Sequence, residues 1–288
     1  MEYLVHIAIL ICIYGILGIT LNLIVGEAGL LSVTHAAFYG AGAYATALLM
    51  VNIGANFFVA AATAMVISAA IAYLVGFSLA RLRGDYYVFG TLGFNVIAFS
   101  ILLNWDSLTR GPLGIPGIPR PSIGSFSFLN SLEFLALAAI MLFLVYTVAE
   151  YITTSSFGRV LRAIREDEEA IEVFGYHTSH YKLAVFVIAA ALASLAGSLF
   201  ATYITFIDPS SFTVNESIFV LAIIILGGLG SVRGALLGAI ILVVLPEALR
   251  FVGFPTEIAA QMRQIVYGLM LILLMLFRPQ GILGKFRM

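Results

Sequence analysis

Nine stretches of nearly unbroken apolar residues run along the chain, near 4–25, 33–51, 57–79, 86–103, 131–149, 183–206, 217–232, 234–252 and 262–277. A helix needs about 20 such residues to cross a bilayer. The stretches lack the two-residue alternation of a transmembrane barrel strand, so they predict spanning helices. The first resembles a cleaved leader in length, but no basic flank precedes it and a second apolar stretch follows at once, so it is read as a span. The seventh is short and ends in Gly227-Gly228-Leu229-Gly230. It reads as a half-helix or a re-entrant turn, which a membrane tolerates only where protein or a water-filled cavity covers the backbone. The expected fold is an all-α polytopic bundle of about nine spans, in one domain covering residues 1–288.

Composition agrees with this pattern. Of 288 residues, 62% are hydrophobic and only 10% charged, against roughly 45–50% and about 25% in a soluble domain. So few charges cannot coat a water-soluble protein of this size, and the surplus apolar surface must meet membrane lipid. A net charge of −1 gives no general attraction to nucleic acid. Cys12 is the sole cysteine, which excludes an internal disulfide and a thiolate cluster. His6, His35, His177 and His180 are scattered along the chain, and no metal site is expected.

Lys and Arg set the orientation. With nine spans, Arg81, Arg83, Arg159, Arg162, Arg165, Lys182, Arg233, Arg278, Lys285 and Arg287 fall on one side and Arg110, Arg120, Arg250 and Arg263 on the other. The first side is expected to be cytoplasmic, with the N-terminus outside and the C-terminus inside. Residues 104–130 then form a long external loop, whose Gly111-Pro112-Leu113-Gly114-Ile115-Pro116-Gly117 favours turns over helix.

Residues 150–182 form the long cytoplasmic loop and carry the densest charge. On a helical wheel Val160, Ala163, Ile164, Ala170, Ile171 and Phe174 share one half, and Arg159, Arg162, Arg165, Glu166, Glu169 and Glu172 share the other. Asp167 and Glu168 interrupt the pattern, which predicts a helix broken near Asp167. Arg162–Glu166 and Arg165–Glu169 have the i,i+4 spacing of weak helix-surface ion pairs, and Gly175 is placed to end the segment. Such a loop reads either as a solvated cap on the bundle or as a helix that docks into a groove on another protein. In docking, Val160, Ile164, Ile171 and Phe174 would supply buried contact, and Arg159, Arg162, Arg165, Glu166 and Glu169 a charged rim.

Glu169-Ala170-Ile171-Glu172-Val173-Phe174-Gly175 resembles the Glu-Ala-Ala loop of ABC-importer permeases, with Ile171 at the second Ala. Gly158 to Glu168, and Leu226-Gly227-Gly228-Leu229-Gly230-Ser231-Val232-Arg233-Gly234 followed by Gly238, are similar to permeases for branched-chain amino acids of the LivM type. So are Leu21-Asn22-Leu23-Ile24-Val25-Gly26, His35-Ala36-Ala37-Phe38-Tyr39-Gly40-Ala41-Gly42, Arg83-Gly84-Asp85-Tyr86-Tyr87, Thr91-Leu92-Gly93-Phe94 and Gly114-Ile115-Pro116-Gly117-Ile118. The resemblance runs from about residue 15 to the C-terminus. Thr34 departs from it, standing where the family usually carries Gly.

The resemblance implies a bundle of eight to ten spans in the cytoplasmic membrane. It implies a permease subunit of an ATP-driven importer of leucine, isoleucine and valine, without a catalytic residue, metal or cofactor of its own. The implied partners are a second related permease, two cytoplasmic ATPase subunits that use the ATP, and an extracytoplasmic solute-binding protein. The loop 150–182 would be the coupling element, and Gly175→Pro or Glu169→Arg would uncouple ATP hydrolysis from uptake. The sequence holds no GxxxxGK[ST], so a P-loop nucleotide site must lie on another chain.

Asn22, His35, Asn95 and Glu247 are the candidate intramembrane polar residues. Glu247 follows Pro246 near an external helix end, which suits a kink and a snorkelling carboxylate. Asn22, His35 and Asn95, with Gly227, Gly228 and Gly230, are the candidate path residues. As alternatives, the two asparagines serve as interhelical ties and His35 caps neighbouring backbone. No midplane carboxylate stands out, which speaks against a proton- or sodium-coupled carrier. A channel would leave the charged loop without a task. Urea, an amide, another amino acid or a sugar remain alternative cargoes within the same superfamily.

Overall fold

The computed structural model describes residues 2–123, 126–250, 268–269, 272, 276 and 280–284. The ninth apolar stretch, 262–277, lies almost wholly outside the described residues.

The first eight stretches all become helices. They are α1 (Glu2–Asn22), extended to Glu27 by a π-helical turn, α2 (His35–Asn52), α3 (Phe57–Leu79) and α4 (Asp85–Asn104), then the short α5 (Asp106–Thr109) in the loop that follows. The strands β1 (Ile115–Pro116), β2 (Ser122–Ile123) and β3 (Phe126–Ser127) lie in the same loop. Next come α6 (Ser131–Thr154), α7 (Ser156–Glu166), α8 (Glu168–Val173), α9 (Thr178–Ile204), β4 (Phe206–Ile207), α10 (Val214–Gly227) and α11 (Val232–Arg250). Among the described residues, α1 with its π turn, α3, α4, α6 and α9 are each long and apolar enough to cross a membrane alone. The chain is a multi-pass membrane protein built of helices.

Two elements depart from simple spans. At fourteen residues and 1.5 Å per residue, α10 reaches only about 21 Å, short of a hydrocarbon core near 30 Å. It meets α11 at a 118° bend. Gly228 makes the bend with φ +112° and Gly230 follows with φ +71°, a region closed to most L side chains. The other is α2, which sits in the middle of the bundle with twelve of its eighteen residues buried. Its Gly, Ala and Tyr content suits protein neighbours better than lipid.

Small residues bring α2 and α9 into backbone contact, as their frequency in both stretches predicts. A side chain on Gly42 would collide with the Ser194 backbone, and one on Gly197 with the carbonyl of Tyr39. Thr46 then donates to Ser198 Oγ at 2.7 Å across the same seam. Buried aromatic rings fill the space beyond it, with Tyr39 edge-on to Phe212 at 5.1 Å and Phe38 edge-on to Phe186 at 5.4 Å.

The connections sort to two ends. At one end Asn56 Nδ2 donates to Ser122 O at 2.8 Å, β1 pairs antiparallel with β4, and Arg120 lies over the Tyr203 ring. At the other end the turn after α1, the α3–α4 turn, the α7–α8 segment and the Gly228 bend come together, with Ile282 N and Leu283 N donating to the carbonyls of Leu226 and Gly227. The second end carries the charge-rich loop.

Candidate functional site

Ser155 starts α7 as an N-cap, its Oγ accepting from Gly158 N at 3.3 Å. Gly158 lies against the carbonyls of Ile152 and Thr153, where a Cβ does not fit. This close approach turns α7 across the end of the bundle and buries Leu161 and Ile164. The helix stops at Asp167 (φ −157°, ψ 97°), whose carboxylate accepts from Ala170 N at 3.0 Å and so caps α8. The break expected near Asp167 is there, and it has this local cause. Glu168 and Glu169 occupy the first turn of α8, where the helix dipole favours negative charge. Gly175, at φ +86°, ends the segment, with Gly175 N bonded to Glu172 O and Tyr176 N to Ile171 O.

The side-chain assignments need correction. Ile164, expected to meet a partner, is 4% exposed and packs into the chain's own core. Arg162 and Arg165, expected on an outer rim, turn inward. Arg162 Nη1 lies 2.7 Å from Glu27 Oε2 and 2.9 Å from Thr153 O. Arg165 Nη1 donates to Gly26 O at 2.6 Å, and its Nη2 to Glu166 at 2.9 Å. The i,i+4 pairs thus give way to bonds with the buried end of α1, where π-helical winding and the following turn leave carbonyls open. The grip encloses a polar cavity of about 400 Å³, lined by Glu27, Glu150, Thr153, Thr154, Arg162, Arg165, Gly230 and Val232.

A second grip holds α8. Arg83, from the α3–α4 turn, reaches Glu172 at 3.1 Å, Glu169 at 3.3 Å and Glu168 at 4.0 Å. The buried Lys182 Nζ lies 2.6 Å from Glu168 Oε1. The Thr178 hydroxyl lies 2.7 Å from Glu172 and 3.0 Å from Glu168, within hydrogen-bond reach of both carboxylates. The Thr178 hydroxyl, and after it the Arg83 guanidinium, hold the Glu172 carboxyl below its usual range, while Glu168 and Glu172 raise Arg83. A carboxylate with a lowered folded pKa contributes stability above its unfolded pKa, about 4.3, and loses it as pH falls through the folded value. Hydrogen exchange over 168–173, corrected for intrinsic rates, is therefore expected to stay protected from pH 8 to pH 5 and to loosen only below about pH 4. Loosening already between pH 7 and 5 would contradict the tether. None of Glu27, Arg83, Glu168, Thr178 or Lys182 stood out as a site residue in the sequence; the partners of Glu27 and Arg83 lie far along the chain.

The outer surface of α7–α8 stays open. Val173 is 88% exposed and Phe174 77%. Beside them Ser156, Arg159, Val160, Ala163, Ile171 and Tyr176 line a groove of about 340 Å³ between the two helices. Arg159, Glu166, Glu169 and Phe174 are exposed there, and Val160, Ala170 and Ile171 are partly covered.

In the interior, Asn22, His35 and Asn95 are all fully buried and act as ties. Asn22 Oδ1 accepts from Gly230 N at 3.0 Å. His35 Nε2 meets Thr20 Oγ1 at 3.2 Å. Asn95 Nδ2 donates to Val33 O and to Ser217 Oγ, both at 2.6 Å, and Ser217 Oγ also accepts from Ala36 N at 2.9 Å. Gly227 packs on Gly234 and Gly238, and Gly228 on Gly281 and Gly284. Glu247 lies toward the end of α11, half-buried, after Pro246 inside that helix. The sequence reading overlooked Glu216, a carboxylate bonded to Tyr14 at 2.7 Å. Its position just before the seventh apolar stretch looks like a loop, whereas the helix begins at Val214.

Residues 3–275 match the family described as branched-chain amino acid transport system / permease component. The chain is similar to the high-affinity branched-chain amino acid transport system permease protein LivM of Escherichia coli, 38% identical over 98% of this chain and 70% of that protein. It is also similar to the LivH permease protein of the same system in that organism, 30% identical over 94% and 91%. A probable LivM of Methanocaldococcus jannaschii is 27% identical over 77% and 68%. No solved structure matches.

Proposed function

The chain belongs to the branched-chain amino acid transport permease family, and we propose that it forms one membrane half of an ATP-driven importer of leucine, isoleucine and valine. Its partners in this reading are a second related permease, two cytoplasmic ATPase subunits and an extracytoplasmic solute-binding protein. The chain itself binds no nucleotide, cofactor or metal, and carries no catalytic residue.

The end holding α7 and α8 is cytoplasmic in this reading. The N-terminus is then outside and the C-terminus inside, with nine crossings that count α10, α11 and the stretch 262–277. The observation that carries the reading is the pairing of an open apolar face with rigid anchors. Val173 and Phe174 project from a charged, water-facing end, where isolated apolar exposure of this size has no lipid to meet. Behind that face Arg162 and Arg165 bind the end of α1, and Arg83 and Lys182 bind α8 to the α3–α4 turn and to α9. A push on α7–α8 therefore reaches at least four spans through short, charge-assisted bonds rather than through a slack loop.

Uptake by the reconstituted complex tests the reading. Proteoliposomes holding all subunits are expected to accumulate labelled leucine, isoleucine and valine only with internal ATP and the binding protein present. Accumulation driven by a proton or sodium gradient without ATP would contradict it, as would preference for urea or a sugar over all three amino acids.

A further inference from the structure

Glu216 opens α10 halfway across the bundle. Its partner Tyr14 lies midway along the 26-residue first span, Glu2–Glu27, about 18 Å from each end at 1.5 Å per residue. In a hydrocarbon core near 30 Å thick that level is close to the midplane. Ionisable groups there are costly against lipid and face the bundle interior or a water-filled passage. Glu216 is half-buried and its neighbour Asn215 is exposed, so this edge of α10 carries two polar side chains in succession at mid-depth. Acyl chains do not suit such an edge, and a polar passage does.

Among the described residues, no Lys, Arg or His forms an ion pair with Glu216. The Tyr39 hydroxyl and Asn95 Oδ1 are buried without a hydrogen-bond partner. Asn95 spends its amide hydrogens on Val33 O and on Ser217 Oγ, the residue after Glu216. Tyr39 lies within electrostatic reach of both Tyr14 and Glu216. Buried polar atoms left without partners are rare and call for an explanation. Apolar surface lies alongside, with the Phe219 ring edge-on to Tyr14 at 5.2 Å.

We propose that Glu216, oriented by Tyr14, receives the α-ammonium group of the amino acid as it crosses the midplane. The inference rests on the amino-acid importer reading above. A primary ammonium brings one positive charge and three N–H donors. The carboxylate answers the charge with a charge-assisted hydrogen bond, and Asn95 Oδ1 and the Tyr39 oxygen are the kind of spare acceptors that the remaining donors need. A sugar or urea has no charge to offer Glu216, and a carboxylic acid without the amine would be repelled. Specificity for amino acids would then be enforced a second time inside the membrane, after capture outside.

The test uses the complete reconstituted complex with saturating binding protein. Glu216→Gln keeps the shape and removes the charge, Glu216→Asp keeps the charge, and Tyr14→Phe removes the orienting bond. Leucine uptake is expected to fall at least tenfold in Glu216→Gln, in a complex that still assembles, and to fall several-fold less in the other two. Equilibrium binding of labelled leucine to the detergent-solubilised permease pair, without binding protein, is expected to be weak and insensitive to excess 4-methylpentanoate, which has the side chain but no amine. Glu216→Gln is expected to abolish that binding. Wild-type uptake and binding in Glu216→Gln would overturn the role of Glu216 while leaving the importer reading intact. Competition by 4-methylpentanoate equal to that by leucine would also overturn it. Failure of the wild-type complex to transport any amino acid would overturn both.

Discussion

Replacing Gly197 with valine is expected to abolish the folded protein. A Cβ at this position meets the Tyr39 carbonyl and lies close to Ala43 N, so the collision is with backbone and no side-chain rotation relieves it. The α2–α9 seam would have to open, and with it Thr46–Ser198 and the packing around buried Tyr39 and Phe212. Overpacking in a well-filled interior costs typically 1–3 kcal/mol when side chains can shift, and more when they cannot. In a membrane bundle, van der Waals fit between helices is itself a main driving force for association. The expected result is loss of the monodisperse peak in detergent size-exclusion chromatography. Gly93→Val, at a position with open space in front of the glycine, should keep its peak. A stable Gly197→Val protein with wild-type uptake would show that the seam is not tight.

Charging the open face of α8 should have the other large effect, and it should leave the fold alone. Val173 and Phe174 touch little of their own chain, so Val173→Asp with Phe174→Asp removes no internal packing. If the pair anchors a partner, its loss removes a contact of hot-spot size, 2 kcal/mol or more, about a thirtyfold loss of affinity. Uptake in proteoliposomes is expected to fall more than tenfold, with the ATPase subunits dissociating from the purified permease. Gly175→Pro should act similarly by another route, since proline cannot adopt the φ of +86° found there. Wild-type uptake in the double aspartate variant would place the docking face elsewhere.

Local features were legible in the sequence and long-range ones were not. The helices, the break at Asp167, the stop at Gly175 and the close approach at Gly42 and Gly197 follow from periodicity, capping chemistry and residue size, all carried within a few neighbouring positions. Arg162 and Arg165 were misplaced because a helical wheel separates polar from apolar positions and says nothing about which polar partner is nearest. Their partners Glu27 and Gly26 are more than 130 residues away. Ile164 was misplaced for the opposite reason, since an apolar stripe looks alike whether it meets its own bundle or another protein. Glu216 was hidden because α10 starts inside the bundle rather than at its edge, so a polar first turn resembled a surface loop.

Photo-crosslinking shows whether α7 and α8 form the face on which a separate motor protein acts. With Cys12 replaced by serine, a benzophenone maleimide is attached at Phe174→Cys in one sample and at Ile53→Cys in another, the latter at the opposite end of the bundle and 73% exposed. In the assembled complex, irradiation is expected to join the label at 174 to an ATPase subunit and to leave the label at 53 unattached to it. Capture of the ATPase subunit from position 53, or its absence from position 174 in a complex that still transports, would contradict the account.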